Sequence, residues 1–356
     1  MLRFGHALAS LLNAMTSFLV SLVVSQQAYD LVLLSVPPYE TALGFHLGLL
    51  LSRSVSKKRP KVVYDYRDDI LELSRHETQY RGYYPIDKYL LNFLLLTMNL
   101  LLRRSDKVVC VNEQHRYFMI RRGLDARRIG VIPNGVDTRL FRPAGQEDKL
   151  QLRSKHGIPL DAFVLVVVSG AGWLYHRLEY MIRALKILED GLDPGKTSPW
   201  LLVVGRRTRE LDACLRFAKN QELRSGLLCL GEVAHKEVPG VLNTADVGVI
   251  PLAEYGYLRE TLPVKLYEYC SCGLPILATA PPGSLTESAV QRYSLGLVFH
   301  PQDVRGLADG IRQLREDQRF REETGFRCRL TAEEIFDRRI SNERYVSLIE
   351  GILVRP

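Results

Sequence analysis

The 356-residue chain has six cysteines, at positions 110, 214, 229, 270, 272 and 328, and no C-x-x-C among them. The lack of a paired framework argues against a disulfide-stapled secreted fold, and a reducing, cytoplasmic setting is the expectation. The eight histidines are scattered with no H-x-x-x-H, so no metal-ligand spacing is visible. Low-complexity tracts and short repeats are missing. No helix-turn-helix, RNP or zinc-finger pattern accompanies the basic residues, which argues against nucleic acid as their partner. An unbroken apolar span is lacking too. Ala7 to Val24 is largely apolar, but Ser10, Asn13, Thr16, Ser17 and Ser21 interrupt it, and a membrane crossing needs about 20 apolar residues. Three readings stay open for this stretch: a buried or peripheral helix, a membrane contact, or a signal-like segment. Arg3 supplies little of the positive flank that the last would need.

What is present fits a folded chain. Hydrophobic residues make up 46% and charged residues 25%, and the length suffices for two domains with separate cores. The net charge of +8 comes with arginine pairs at 103–104, 121–122, 127–128 and 206–207, and with Lys57-Lys58-Arg59. Such an excess favours anionic partners: nucleotide phosphates or an acidic membrane face.

Asp30 to Ser35 is a nearly continuous apolar run ended by Pro37-Pro38, as for a parallel strand buried on both faces. A helix over 42–51, a strand over 61–66, a helix over 90–103, a strand over 107–111, a helix over 113–122 and a strand over 129–133 follow. Asp137 to Pro143 reads as loop, and Ala144 to Leu150 as a polar linker. A second alternating series begins at Phe163 to Ser169, with strands expected at 200–204, 227–230, 247–250, 275–279 and 296–299 and helices between them. Helices over 303–316, 318–327 and 330–354 close the chain. Strands alternating with helices imply right-handed β-α-β units, hence two doubly wound parallel sheets in tandem. Such sheets bind ligands at the carboxyl ends of their strands.

The densest chemistry lies between Glu260 and Pro275. Two carboxylates, Glu260 and Glu268, stand eight positions apart with Lys265 between them. Val264 to Cys272 reads as a helix, with Pro263 at its start and Gly273 in the left-handed position that ends it. Both acids and the lysine can then face one ligand at the top of a sheet, where carboxylates suit sugar hydroxyls and an ammonium suits a phosphate. The alternative is a solvated helix with ordinary surface charges. Asp246 and His300 read as structural, and Asn134-Gly135 as a turn.

Several segments together resemble the GT-B glycosyltransferases of family 4, also called group 1 glycosyltransferases. Val131 to Pro143 is similar to the family's IPNGVD segment at the end of its first domain, and Leu201 to Arg206 to its strand-then-glycine segment. Gly231 to Pro251 and Gly296 to Asp303 resemble two later segments, and Glu260 to Pro275 matches the E-x7-E signature. More thinly, Asp30 to Pro38 and Val62 to Asp68 resemble strands of the first domain. The second ends in Arg67-Asp68, where relatives carry Arg-Asp or His-Asp.

The resemblance implies a GT-B fold of two Rossmann-like domains: an acceptor-side domain at 1–143, a donor-binding domain at 144–335, and a C-terminal helix at 336–356 crossing back onto the first. A full-length member would begin with a strand, a Gly-rich loop and further β-α units, so the first domain is expected to be incomplete. The implied activity is transfer of a hexose-type sugar from a nucleotide-sugar donor to a glycan or lipid-linked acceptor, in polysaccharide or glycolipid synthesis. Retention of configuration, with the leaving phosphate as base, and no metal or other cofactor are also implied. The alternatives are an epimerase or hydrolase of nucleotide sugars, and an inactive nucleotide-sugar-binding scaffold.

By position in the signature, Glu268 binds the nucleotide ribose, Glu260 faces the donor sugar and Lys265 reaches a phosphate, with Leu262 and Pro263 in the same donor-binding segment. The loop from Ser169 to Arg177 is shorter than in many relatives and lacks their Arg and Lys. Gly170 and Gly172 still allow close backbone approach to an anion, and His176, Arg177 and Arg206 are candidate substitutes; otherwise Trp173 and His176 are packing residues. Arg67 is expected to contact phosphate or acceptor and Asp68 to orient the acceptor hydroxyl; otherwise the pair merely closes a strand. A cytoplasmic protein, peripheral on an anionic inner membrane face through Lys57-Lys58-Arg59 and the helix over 87–104, completes the expectation.

Overall fold

The computed structural model describes residues 2–26, 29–37, 39–52, 59–68, 85–169, 176–192, 197–224 and 226–354. The chain forms two compact units: residues 1–134 with 341–356, and residues 135–340.

Unit 1 runs α1 (Leu2–Gln26), β1 (Leu31–Val36), α2 (Tyr39–Ser52), β2 (Lys61–Tyr66), α3 (Pro85–Arg104), β3 (Lys107–Cys110), α4 (Glu113–Arg121) and β4 (Ile129–Val131). Its described strands are parallel, in the order β1-β2-β3-β4. Val62, Tyr64 and Val108 pack on one face against Phe45 of α2 and Met98 of α3. Val63, Val109 and Ile132 go to the other face, where Tyr345, Leu348 and Ile352 cover them. Because consecutive side chains of β2 are buried on opposite sides, the strand reads as an apolar run and not as an alternation. The apolar stretch at the amino terminus is the helix α1, packed along α2. Among the described residues no helix is long and apolar enough to cross a membrane.

Unit 2 opens with α5 (Gln146–Lys155), β5 (Val164–Ser169), α6 (Leu178–Asp190), β6 (Trp200–Gly205), α7 (Arg209–Asn220) and β7 (Leu227–Gly231). It continues through α8 (Val238–Leu242), β8 (Val247–Pro251), α9 (Val264–Ser271), β9 (Ile276–Thr279), α10 (Leu285–Arg292) and β10 (Gly296–Phe299). The helices α11 (Val304–Glu316), α12 (Gln318–Glu334) and α13 (Arg338–Leu353) follow, the last belonging to unit 1 from Ser341 onward. The six parallel strands lie in the order β10-β9-β8-β5-β6-β7. β5 shows the double burial residue by residue: Val164, Val166 and Val168 enter one core, Leu165 and Val167 the other.

Two local expectations need correction. Ala144 to Leu150 is no linker, since α5 starts at Gln146. Charge holds it: Lys149 and Arg153 reach the Asp246 carboxylate at 2.7 and 2.8 Å, and that carboxylate also accepts the Val164 N–H at 2.8 Å. Asp246 thus joins α5 to the starts of β5 and β8, the structural part expected of it. The break expected between 327 and 330 lies instead at Ile335–Asp337. There the Phe336 carbonyl accepts the Val136 N–H at 2.8 Å and the Arg338 N–H returns to Val136 at 2.9 Å, so strand-like bonds replace helical ones.

Candidate active site

The strand order of unit 2 fixes where its site can lie. From β5 the chain moves one way to β6 and β7, then returns to place β8 on the other side of β5. Ligand crevices of open α/β sheets form at such a reversal, beyond the carboxyl ends of the strands. Pairing between β5 and β8 is short, covering only Leu165 with Val247 and Val166 with Gly248. Beyond it the Val168 N–H is bonded by the hydroxyl of Tyr269 on α9, at 2.9 Å. The Tyr269 ring is fully buried and lies against Gly248, where any Cβ would run into it. Tyr269 therefore satisfies a strand N–H at the point where the two strands part, and fixes α9 over the gap.

α9 begins and ends as its sequence requires. Pro263 is extended at φ −61°, ψ 135°, and no side chain caps the first turn. At the other end Gly273 takes φ +71°, and the Leu274 N–H reaches back to the Tyr269 carbonyl at 3.0 Å. Lys265 and Glu268 lie one turn apart on this helix and interact electrostatically. Glu268 is buried and Lys265 half-buried. Burial lowers the Lys265 pKa, partly opposed by Glu268; burial raises the Glu268 pKa, opposed by Lys265, His235 and Arg338. The His235 ring stands 3.9 Å from the Glu268 carboxylate. Glu268 is thus not a solvated surface charge.

Glu260 ends the 3₁₀ turn Gly256–Glu260 and is half-buried, as are Leu262 and Pro263 leading into α9. The Thr261 carbonyl in the same stretch accepts the Thr286 hydroxyl at 3.2 Å, tying the loop to α10. Gly170, Gly172 and Trp173 lie outside the described residues. The chain re-enters at His176, which bridges Leu252, and at Arg177, whose N–H bonds the Pro251 carbonyl at 2.8 Å. His176 and Arg177 are thus pinned across the carboxyl end of β8. Burial, with the nearby Lys265 charge as the lesser cause, pushes the His176 pKa down to about 4. The Arg177 guanidinium donates to Glu179 at 3.0 Å and to the Tyr255 hydroxyl at 3.3 Å. Arg206 follows β6 directly and is exposed.

The structure therefore gathers Glu268, Lys265 and His176, with Glu260, Leu262 and Pro263 on the approach to the same helix. Tyr269 and His235 were not singled out from sequence. Tyr269 follows Glu268 directly, but its role depends on a glycine in another strand; His235 carried no signal.

Arg67 and Asp68 belong to unit 1, at the carboxyl end of β2. Arg67 donates to Asp65 at 2.8 Å, to the Asn134 side chain at 2.8 Å and to the Tyr345 hydroxyl at 3.0 Å. Tyr345 in turn donates to Asp65 at 2.5 Å. These bonds make Arg67 a brace between β2, the turn after β4 and α13. Asp68 is exposed, and its carbonyl accepts the Tyr39 hydroxyl at 3.1 Å. Among the described residues, no three His, Cys, Asp or Glu side chains come together as metal ligands would.

Comparison with known proteins agrees with this architecture. The family model of group 1 glycosyl transferases matches residues 148–329, just over half of the chain, and that of Glycosyltransferase Family 4 matches residues 11–140. An Escherichia coli protein, UDP-Gal:alpha-D-GlcNAc-diphosphoundecaprenol alpha-1,3-galactosyltransferase, is 27% identical over 61% of this chain and 51% of its own length. D-inositol 3-phosphate glycosyltransferase 1 of Catenulispora acidiphila is 27% identical over 60% of this chain and 50% of its own. The chain spans about half the length of the curated relatives it matches. Among solved structures, Anabaena Alr3699/HepE in complex with UDP-glucose aligns with a TM-score of 0.69 at 18% identity, over 93% of this chain and 82% of that one. WaaG, a glycosyltransferase involved in lipopolysaccharide biosynthesis, aligns at 0.60 with 17% identity, over 85% of this chain and 81% of that one. The fold is GT-B, and the chain belongs to the group 1 glycosyl transferases.

Proposed function

We propose that this protein transfers a hexose-type sugar from a nucleotide-sugar donor to a glycan or lipid-linked acceptor. The observation that carries the proposal is the pair of half-buried Lys265 and buried Glu268, one turn apart on the helix that borders the β5–β8 crevice. Burying opposite charges costs free energy, and a ligand that supplies hydroxyls to the carboxylate and a phosphate to the ammonium offsets that cost. A nucleoside diphosphate sugar supplies both. In this reading Glu268 accepts the ribose hydroxyls, Lys265 and the uncapped first turn of α9 hold a phosphate, and Glu260 orients the sugar. His176, kept neutral beside Lys265, adds a hydrogen-bonding group without a second positive charge. Gly170, Gly172, Arg177 and Arg206 complete the donor side, and Arg67 and Asp68 belong to the acceptor side.

Stabilising the charge on the departing diphosphate is the main chemical demand, and preorganised donors meet it. Retention of configuration, with the leaving phosphate as base, and independence of metal or any other cofactor belong to the same proposal. So does a cytoplasmic protein attached peripherally to an anionic membrane face, which the net charge of +8 favours. Support also comes from the relatives, one of them a galactosyltransferase whose name specifies a UDP-Gal donor and a diphosphoundecaprenol-linked sugar.

The test is Glu268→Ala against a panel of nucleotide sugars. Wild-type protein should rise in melting temperature with one of them and turn over an acceptor pool in the presence of EDTA. The variant should lose that rise while melting near the wild-type temperature without ligand. Undiminished donor binding by the variant would sink the assignment.

A further inference from the structure

The α1–α2 pair of unit 1 is packed inside out for a protein in water. On α1, the residues turned toward α2 are Ala14, Ser17 and Ser21, and the two serines are buried. Ser17 donates to the Thr41 carbonyl across the interface at 2.7 Å, and Ser21 to its own helix at Phe18, also at 2.7 Å. On α2 the matching positions are Gly44 and Gly48. A Cβ on Gly44 would run into the Ala14 carbonyl, and one on Gly48 into the Ser21 hydroxyl. Close backbones, small residues four apart and hydroxyl bonds between helices are how helices associate in lipid, where large apolar side chains gain nothing by turning inward.

The large side chains accordingly face out. Leu12, Met15, Leu19 and Val23 form one stripe of α1 and are 53%, 54%, 58% and 53% exposed. Leu47 and Leu51 on α2, and Phe93, Leu96 and Leu100 on α3, are exposed as well. α1 packs on α2 and α2 on α3, with Val24 of α1, Phe45 of α2 and Met98 of α3 meeting one core, so the exposed stripes lie on successive neighbouring helices. No Asp, Glu, Lys or Arg occurs between residues 7 and 29 or between 89 and 102.

Cations border this layer at one end. Arg103 and Arg104 close α3 directly after Leu100 and are exposed, and the Arg128 guanidinium folds back on the Arg103 carbonyl at 3.2 Å. Arg59 and Arg104 are near enough to act on His46 of α2. Acidic side chains there are engaged: Asp106 pairs with Lys61 at 3.6 Å and Asp125 with Arg127 at 3.0 Å.

We propose that the outer face of α1, α2 and α3 is a membrane-embedding surface, lying in the interface of an anionic bilayer with Arg59, Arg103 and Arg104 at the headgroups. This deepens the peripheral attachment proposed above and rests on it. The apolar stripes supply insertion, and the cationic border supplies preference for anionic lipid.

The test is flotation of the full chain with vesicles of phosphatidylcholine, with and without phosphatidylglycerol. Wild-type protein should float with the anionic vesicles, less so as salt rises. The double variant Met15→Glu, Leu19→Glu should lose about tenfold or more in bound fraction, since placing charge at inserted positions opposes burial. Phe93→Glu with Leu96→Glu should do the same through a different helix, should the α1 variant fail to fold. Arg59→Glu with Arg104→Glu should abolish the preference for phosphatidylglycerol. Flotation unchanged in both apolar variants would overturn this surface while leaving attachment intact. No flotation by wild-type protein would overturn the attachment itself. A vesicle-free dimer that Met15→Glu, Leu19→Glu dissociates would give the face to a second copy and refute the proposal. Nucleotide-sugar thermal shifts, expected to be equal in all these variants, report on the donor reading separately.

Discussion

Replacing Tyr269 with phenylalanine isolates a single atom at the edge of the crevice. The ring stays against Gly248, so packing is retained, and only the hydroxyl that bonds the Val168 N–H is removed. Tyr269 is fully buried, so no water replaces the lost oxygen without rearrangement. A buried donor left without a partner costs about 1–3 kcal/mol. That corresponds to a roughly 5- to 150-fold rise in the local opening equilibrium. For a unit of this size the same loss lowers the melting temperature by about 2–4 °C per kcal/mol. Hydrogen exchange followed by mass spectrometry on the peptide carrying Val168 should show that faster exchange, and peptides from β7 should be little changed. Donor affinity should fall as well, because β5 and α9 both border the crevice. Exchange at Val168 within twofold of wild type would refute the reasoning, since the hydroxyl would then not be holding the strand.

Asp246→Ala should be more damaging to unit 2: it strands Arg153, which is 4% exposed, without its carboxylate. Breaking a buried pair this way costs about 3–5 kcal/mol, to be read from chemical denaturation, and near-wild-type stability would contradict it. His176 predicts an acid-side slope. Its pKa falls from 6.5 in the unfolded chain to about 4 in the fold, so the unfolded state takes up the proton first. Stability is therefore full above about pH 6.5 and declines toward pH 4, by at most about 3 kcal/mol. His176→Asn should flatten that stretch of the pH–stability curve, and an identical slope in the variant would count against the assignment. Arg67→Lys should loosen α13 nearly as much as Arg67→Ala, because an ammonium cannot reach Asp65, Asn134 and Tyr345 at once. Limited proteolysis within α13 measures this, and wild-type resistance in the lysine variant would refute it.

What was legible in the sequence is what short-range pattern encodes. β5 and β2 could be read because burial on both faces turns a strand into an apolar run. The helix carrying Lys265 and Glu268 could be read because Pro263 and Gly273 punctuate it. Roles that depend on distant partners could not be read. Tyr269 acquires its function from Gly248 and Val168, and Arg67 is bound by residues from the far end of unit 1. α5 has little apolar character of its own and forms around Asp246, a carboxylate just before β8, so a polar segment passed for a linker. α1 misleads for the opposite reason. Its serines break an apolar run, and the usual rule sends polar residues outward; here they turn inward to the glycines of α2.

The parting of β5 from β8 has a kinetic consequence. The gap is held by a tyrosine already bonded in the folded chain, so a nucleotide binding there as proposed need not pry strands apart or wait for a rare open state. Binding at this edge is then limited by encounter, not by rearrangement of the sheet. Association rates should vary with ionic strength, as expected for an anion approaching Lys265, and should change little with protein stability. A variant that weakens the sheet elsewhere would release its nucleotide no faster, provided Tyr269 keeps its hold on Val168.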